Sequence, residues 1–254
     1  MTLPETRPSD YDAFAWFYDR YWGSGPMAFA VRALPALERL LLRHIPPRSR
    51  ILDLCCGSGQ VAFELSQRGF EVTGIDGSQE LLRYARERAP GGEFIHTDAR
   101  AFSLPPVFAA AVSLYDSLNH IMRLEELTLV FRRVHAALQT GGRFVFDLNM
   151  EEGYRARWRG SFAIVRDDHV LAARSSFDPE ASVGTTTLTM FRLDGGAWRR
   201  SDLTLFQRCY GEDEVQSALA EAGFDEIATY DAERDLEMAR ETGRMFFLAR
   251  VKER

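Results

Sequence analysis

ILDLCCGSGQ, residues 51–60, is the stretch from which the fold can be read. An apolar run of strand length carries Asp53 and then gives way to Cys55, Cys56, Gly57, Ser58 and Gly59, small residues that let a backbone turn tightly and approach a ligand. VAFELSQRG, residues 61–69, follows with helical spacing, so the turn opens a helix N-terminus with unpaired N–H groups. The turn lacks the lysine of a triphosphate loop. Gln60 stands where a dinucleotide fingerprint has its third glycine.

Working outward, the strand-then-helix unit repeats. FEVTGID (70–76), EFIHTDA (93–99), FAAAVSLYD (108–116) and GGRFVFDLN (141–149) are further apolar runs, separated by SQELLRYARERAP (78–90) and RLEELTLVFRRVHAALQTGG (123–142). In the last of these Leu124, Leu127, Phe131, Val134 and Leu138 share one helical face. Parallel neighbours need crossover connections that cover both faces, so the pattern predicts a doubly wound, mostly parallel α/β sheet. Beyond residue 158 the period becomes two, in VLAARSSF (170–177), TTTLTMFRL (185–193) and WRRSDLTLFQRCY (198–210), with turn residues between them. This reads as an antiparallel insertion after strand five. GEDEVQSALAEAGF (211–224) returns to helix, and FDEIATYDA (224–232) and GRMFFLARV (243–251) are two closing strands, giving seven in the main sheet.

Upstream, residues 27–45 have helical spacing in which Pro35 argues for a break or a late start. YDAFAWFYDRYWG (11–23) is dense in aromatics that something must cover. It is either a short helix docked on the core or a lid over a ligand, and the two roles are compatible. The 254 residues therefore read as a single domain: an aromatic helical cap (1–45), a core (46–150), an insertion (158–209) and a closing helix and strands (210–254).

Composition narrows the function. A hydrophobic fraction of 46% with 27% charged residues is that of a globular chain, and a formal charge of −6 leaves no basic footprint for nucleic acid or an anionic membrane. Arg155, Arg157 and Arg159 read as a solvated face. No apolar run approaches the ~20 residues of a membrane span, and MTLPETRPSD lacks the regions of a signal peptide, so a cytoplasmic location is expected. Cys55, Cys56 and Cys209 match neither a disulfide framework nor a metal spacing and read as reduced thiols, with no metal site.

In such sheets function gathers at the carboxyl ends of the strands. Asp76 lies nineteen positions beyond Gly57, where a carboxylate can accept from both hydroxyls of a ribose, although a solvated turn aspartate is the other reading. Asp98, in HTDA, can take the proton of an exocyclic adenine amine while the adjoining backbone reads the ring edge.

In order and spacing, ILDLCCGSGQ, VTGIDGS, HTDA and SLYDSLNHI resemble the class I S-adenosylmethionine-dependent methyltransferase family, most nearly its small-molecule N-methyltransferases. The resemblance spans nearly the full chain and implies a Rossmann-like methyltransferase fold with S-adenosylmethionine as cofactor. It implies that Asp53 and the turn of Cys55, Cys56, Gly57 and Gly59 hold the methionine portion. Asp76, with Gly77 and Ser78, would hold the ribose, and Asp98, with Thr97 and Ala99, would read adenine. Tyr115 and Asp116 would flank the sulfonium. Cys55 departs from the family, which has its first loop glycine there.

Transfer from a sulfonium asks the protein mainly to align a nucleophile and exclude water. Tyr18 and Trp22, four apart on one helical face of the cap, are expected to close over the cofactor, with Tyr18 also a catalytic candidate. An amine acceptor must be neutral to attack, and His120 is the candidate base, a capping or core role being its alternative. Asn119, Tyr154, Arg157, Trp158 and Arg208 are candidates for the small-molecule methyl acceptor's site, an arginine suiting an anionic group. Two other classes compete. A nicotinamide-dependent oxidoreductase is disfavoured by Gln60 and by the aspartate of HTDA, and a nonenzymatic cofactor-binding protein would need neither base nor acceptor pocket. Free edges on the insertion make a homodimer an expectation that a monomer mass in light scattering would refute.

Overall fold

The computed structural model describes residues 9–23 and 28–252. The aromatic segment forms a short helix, α1 (Ala15–Tyr18), continued by a wider turn over Asp19–Gly23; α2 (Ala30–Leu40) follows. The alternating core is β1 (Arg50–Leu54), α3 (Gln60–Gln67), β2 (Glu71–Asp76), α4 (Gln79–Arg88), β3 (Glu93–His96), β4 (Phe108–Ser113), α5 (Leu124–Ala137) and β5 (Leu138–Asn149). Then come α6 (Glu151–Arg157), the four strands β6 (Gly160–Val165), β7 (His169–Asp178), β8 (Val183–Asp194) and β9 (Ala197–Arg208), and finally α7 (Glu212–Glu221), β10 (Phe224–Asp231) and β11 (Arg244–Val251).

The seven-stranded sheet has the order β10-β11-β5-β4-β1-β2-β3, with β11 antiparallel to both its neighbours and the other pairs parallel. Chain direction across the sheet reverses between β1 and β4, which opens a crevice above their carboxyl ends. The period of two along each strand sorts its side chains to two cores. Phe144, Phe146 and Phe247 face the helices α5 and α7 through Leu127, Phe131 and Leu219, whereas Val145 and Phe246 face α2 and α3 through Leu37 and Leu65. Both faces are thus covered, as a parallel sheet requires.

The antiparallel strands β6 to β9 form a separate sheet, and its apolar face needs a partner. That partner is the aromatic segment: Phe14, Phe17 and Tyr21 pack against Ile164, Leu171, Ala173, Leu188 and Met190. His169 is buried within this contact and bridges Tyr21 Oη and Asp168 Oδ1. Cap and insertion therefore form one roof over the crevice.

Three local expectations change. α2 runs through Pro35 without a break, because the carbonyl of Val31 that loses its partner lies on the same exposed face as Pro35. The helix expected over 123–142 stops at Ala137, and Leu138 already pairs with Phe108 as the first residue of β5. Between strand five and the insertion, where no element was read from the sequence, the chain is helical over Glu151–Arg157, and β6 precedes the first insertion strand read from the sequence.

Candidate active site

The floor of the crevice begins where β1 ends. Cys55, Gly57 and Gly59 all have left-handed backbone, with φ of 57°, 55° and 79°. A Cβ on Gly59 would stand 2.8 Å from Ala85 Cα of α4, whereas one on Gly57 would meet the Tyr18 ring at an ordinary contact distance of 3.4 Å. Glycine is favoured at both positions by the left-handed backbone, and at Gly59 it is also needed for helix packing. Cys55 occupies the same region at a cost of about 1–2 kcal/mol that glycine would not incur. Burial pushes its thiol well above the usual range, so it is protonated.

Asp76 joins the turn to the next helix: Oδ2 accepts from Gly57 N at 2.9 Å and Oδ1 from Ser78 N at 2.8 Å. Burial raises its pKa, and these two N–H donors oppose the rise. Asp53, 2% exposed, has an Oδ2 with no partner among the described residues, and burial, then Asp76, pushes its carboxyl up to about 8. Asp98 turns both oxygens to Arg100, whose hydrogen bonds hold its carboxyl below the usual range.

The cap is tied to this floor at two points. Asp12 Oδ1 accepts from Ser78 Oγ at 2.6 Å and from Glu80 N at 3.2 Å, at the start of α4. Asp19 pairs with Arg88 at 2.6 Å, and Arg88 also donates to the Ser58 carbonyl.

The opposite wall is held by a buried ion network. Tyr115 and Asp116 are both left-handed, at φ of 65° and 50°, and their amides donate to Asp147 at 2.7 and 3.0 Å. Arg244, 3% exposed, reaches Asp116 at 2.8 Å, Glu241 at 2.7 Å and Asp147, and lies over the Phe29 ring. Burial would raise Asp116, but Arg244 and Gln207 outweigh it and keep the carboxyl below its ordinary value. For Asp147 burial wins over Arg244, and its pKa is pushed up to about 6.

His120 sits between roof and wall. Its Nδ1 is 2.9 Å from the Phe206 carbonyl, an acceptor only, so Nδ1 carries the proton and Nε2 presents a lone pair. Tyr11 Oη lies 3.0 Å from that Nε2, and burial lowers the imidazole's pKa below 6.5 and keeps the ring neutral. Burial also keeps the Tyr11 phenol protonated. Gln207 Nε2 donates to Asp116 Oδ2 at 2.6 Å and lies 3.4 Å from His120 Nε2.

A cavity of about 620 Å³ lies between these parts. Of the residues singled out in the sequence, Tyr18, Trp22, Cys55, Gly57, Asp76, Gly77, Asp98 and Ala99 line it on the floor and cap side, and Tyr115, Asp116, His120, Arg157 and Trp158 on the other. Asp53, Cys56, Gly59, Ser78 and Thr97 stand behind that wall. Three acceptor candidates lie elsewhere. Asn119 is fully buried and bonds the Asn149 backbone and the Arg208 carbonyl; Tyr154 is fully buried against Phe177 and Trp158; Arg208 pairs with Glu214 at 3.0 Å. The sequence reading missed Arg32, Gln207, Arg240, Glu241 and Arg244, all of which line the cavity, and Asp147 behind them. An arginine heading the apolar run MFFLARV was a signal for Arg244; nothing local marked the others.

Comparison with known proteins agrees with this geometry. The family described as "Methyltransferase domain" matches residues 51–142. YqeM, a candidate methyltransferase of Bacillus subtilis (strain 168), is 29% identical over 245 residues, 94% of this chain and 96% of the relative. A dTDP-3-amino-3,6-dideoxy-alpha-D-glucopyranose N,N-dimethyltransferase of Streptomyces fradiae is 32% identical over 125 residues, and there the match spans 47% of this chain and 49% of the relative. Among solved structures, an S-adenosylmethionine-dependent methyltransferase from Clostridium acetobutylicum ATCC 824 superposes with a TM-score of 0.76 at 22% identity, covering 96% of this chain and all of that one.

Proposed function

We propose that the chain is a class I S-adenosylmethionine-dependent methyltransferase that methylates an amine nitrogen of a small molecule, with His120 as general base. The floor suits the cofactor on its own chemistry. Asp53 carries a buried oxygen without a partner, Gly57 leaves open backbone beneath Tyr18, and Asp76 and Asp98 place two carboxylates along one wall. Asp53 and the Cys55 to Gly59 turn would hold the methionine portion, Asp76 the ribose, and Asp98 with Ala99 the adenine. When bound, the cofactor supplies a methyl carbon already activated by a sulfonium.

What remains for the protein is to orient an acceptor, keep water out and take a proton. The roof of cap and insertion closes over the cavity, and aligning two reactants in such a site is worth up to ~7–11 kcal/mol. An ammonium acceptor must first lose a proton. The Tyr11 hydroxyl and His120 Nε2 form a path for it, with the tautomer set by the Phe206 carbonyl. The deprotonated nitrogen, held beside Tyr11 and His120, would present its lone pair to the methyl group that the cofactor supplies when bound. The ionised Asp116 sits beside this path and balances the positive charge.

The neutral His120 on the cavity, its Nε2 hydrogen-bonded to the Tyr11 hydroxyl, carries this reading. The S. fradiae relative named as an amino-sugar N,N-dimethyltransferase supports nitrogen as the acceptor atom. Incubating wild type and His120→Gln with methyl-labelled cofactor and a panel of primary amines, phenols and carboxylic acids tests it. N-methyl products that depend on His120 are expected. Products methylated at oxygen alone, or full turnover in the variant, would overturn it.

A further inference from the structure

The acceptor end of the cavity holds a cation that forms no ion pair among the described residues. Arg157 ends α6 and folds back over Gly153, where a Cβ would stand 2.8 Å from its Nη2. Its Nη1 donates to the Thr242 carbonyl and its Nη2 to Asn149 Oδ1, both uncharged, and among the described residues no carboxylate pairs with it. Of the other three arginines that line the cavity, two are compensated, Arg244 by three carboxylates and Arg32 by Glu241. Burial, then repulsion from Arg244, pushes the Arg157 pKa down, as expected of a guanidinium short of counter-charge.

A second observation is independent of that charge. Three buried polar atoms beside Arg157 can donate and have no partner among the described residues: Asn149 Nδ2, Tyr154 Oη and Trp158 Nε1. Arg157 and Trp158 both line the cavity, and Arg240, held at φ of 68° on an exposed stretch, brings a further guanidinium to its wall. Of Asn149, Tyr154 and Trp158 only Trp158 lines the cavity; leaving its donor and the Arg157 cation buried without acceptors is unfavourable, and an anion entering from the cavity relieves both at once.

We propose that this end of the cavity is an anion subsite in which Arg157 and Trp158 Nε1, with Arg240 at the wall, hold a carboxylate or phosphate group of the methyl acceptor. The assignment to the acceptor rests on the reading of the cavity as a methyltransferase active site. It restricts the substrate to molecules that carry an anionic group besides the atom that is methylated.

The test uses the protein saturated with S-adenosylhomocysteine at low ionic strength, titrated separately with sodium phosphate and with succinate and followed by tryptophan fluorescence. Wild type, Arg157→Gln and Trp158→Phe are compared, with S-adenosylhomocysteine affinity as the control of folding. Saturable binding of one anion is expected, weaker by about tenfold or more in Arg157→Gln and by a few-fold, about twofold to fivefold, in Trp158→Phe. Saturation by phosphate alone identifies a phosphate-bearing acceptor, and by succinate alone a carboxylate. Failure of both anions to saturate, or equal binding in wild type and variants, overturns the subsite. If Arg157→Gln does not fold, Trp158→Phe decides. Failure of wild type to bind S-adenosylhomocysteine would instead strike the methyltransferase reading, and the anion titration of the free protein would still report on the subsite.

Discussion

The two sides of the cavity are built by opposite means. On the floor, which we assign to the cofactor, the contacts are between near neighbours in the chain, Asp76 with Gly57 nineteen positions away and with Ser78 two away, and Asp98 with Arg100 two away, while the cap is tied on from farther off by Asp12 and Asp19. On the acceptor side they join distant segments: Tyr11 with His120 across 109 positions, Gln207 with Asp116 across 91, and Arg244 with Asp116 across 128. The first side is fixed by single strand-to-helix turns. The second exists only once the cap, the insertion and the last strand have all docked, so the acceptor site can change with those elements while the floor stays constant.

The comparison is open to attack at its most connected point. Arg244→Ala leaves Asp116 and Asp147 buried together without their cation and Glu241 with Arg32 alone, and unfolding in urea is expected to show a loss of about 3–5 kcal/mol. A loss below about 1 kcal/mol, the level of an exposed pair, would mean that the network does not hold the acceptor side together.

His120→Gln separates chemistry from architecture. It keeps a polar side chain but removes the base, and turnover on an identified amine is expected to fall by about 10²–10⁴-fold with cofactor affinity unchanged. The pH dependence follows from the direction of its shift. Burial depresses the folded-state pKa below 6.5, so the imidazole is neutral above 6.5 and its contribution to stability is fully present there. That contribution is lost as pH falls through the folded value, and turnover is expected to fall over the same range. In the variant the rate limb should vanish and the stability limb should shrink to what low-lying carboxyls such as Asp98 and Asp116 leave, as measured by rate profiles and urea midpoints from neutral pH downward.

The smallest effect is expected on the floor. Cys55→Gly relieves a left-handed cysteine and is expected to raise stability by about 1 kcal/mol, read as a higher thermal midpoint with cofactor binding retained. A lower midpoint would show that packing of the thiol outweighs the backbone strain.

The same contrast explains what the sequence revealed. The parallel core, the insertion and the floor residues were legible because strand period, helix period and small-residue turns are local signals. Asn119 and Arg208 were misplaced because being close in sequence to the cavity does not fix side-chain direction. Asn119 points inward to bridge the ends of β5 and β9, and Arg208 turns to Glu214 at the start of α7. Pro35 misled because a helix tolerates a missing donor where the freed carbonyl meets water. Asp147 went unread, and Arg244 despite its place at the head of MFFLARV, because a buried ion pair is a property of two segments, 97 positions apart here, and neither segment alone announces its partner.

Calorimetric titration with S-adenosylmethionine, S-adenosylhomocysteine and NADH, run on wild type and on Asp76→Ala, tests the central claim most directly. The account predicts that wild type binds both sulfur nucleosides and not NADH, and that Asp76→Ala loses that binding because the Gly57 turn and the start of α4 lose their common acceptor. Binding of NADH in place of the sulfur nucleosides, or undiminished affinity in Asp76→Ala, would contradict it.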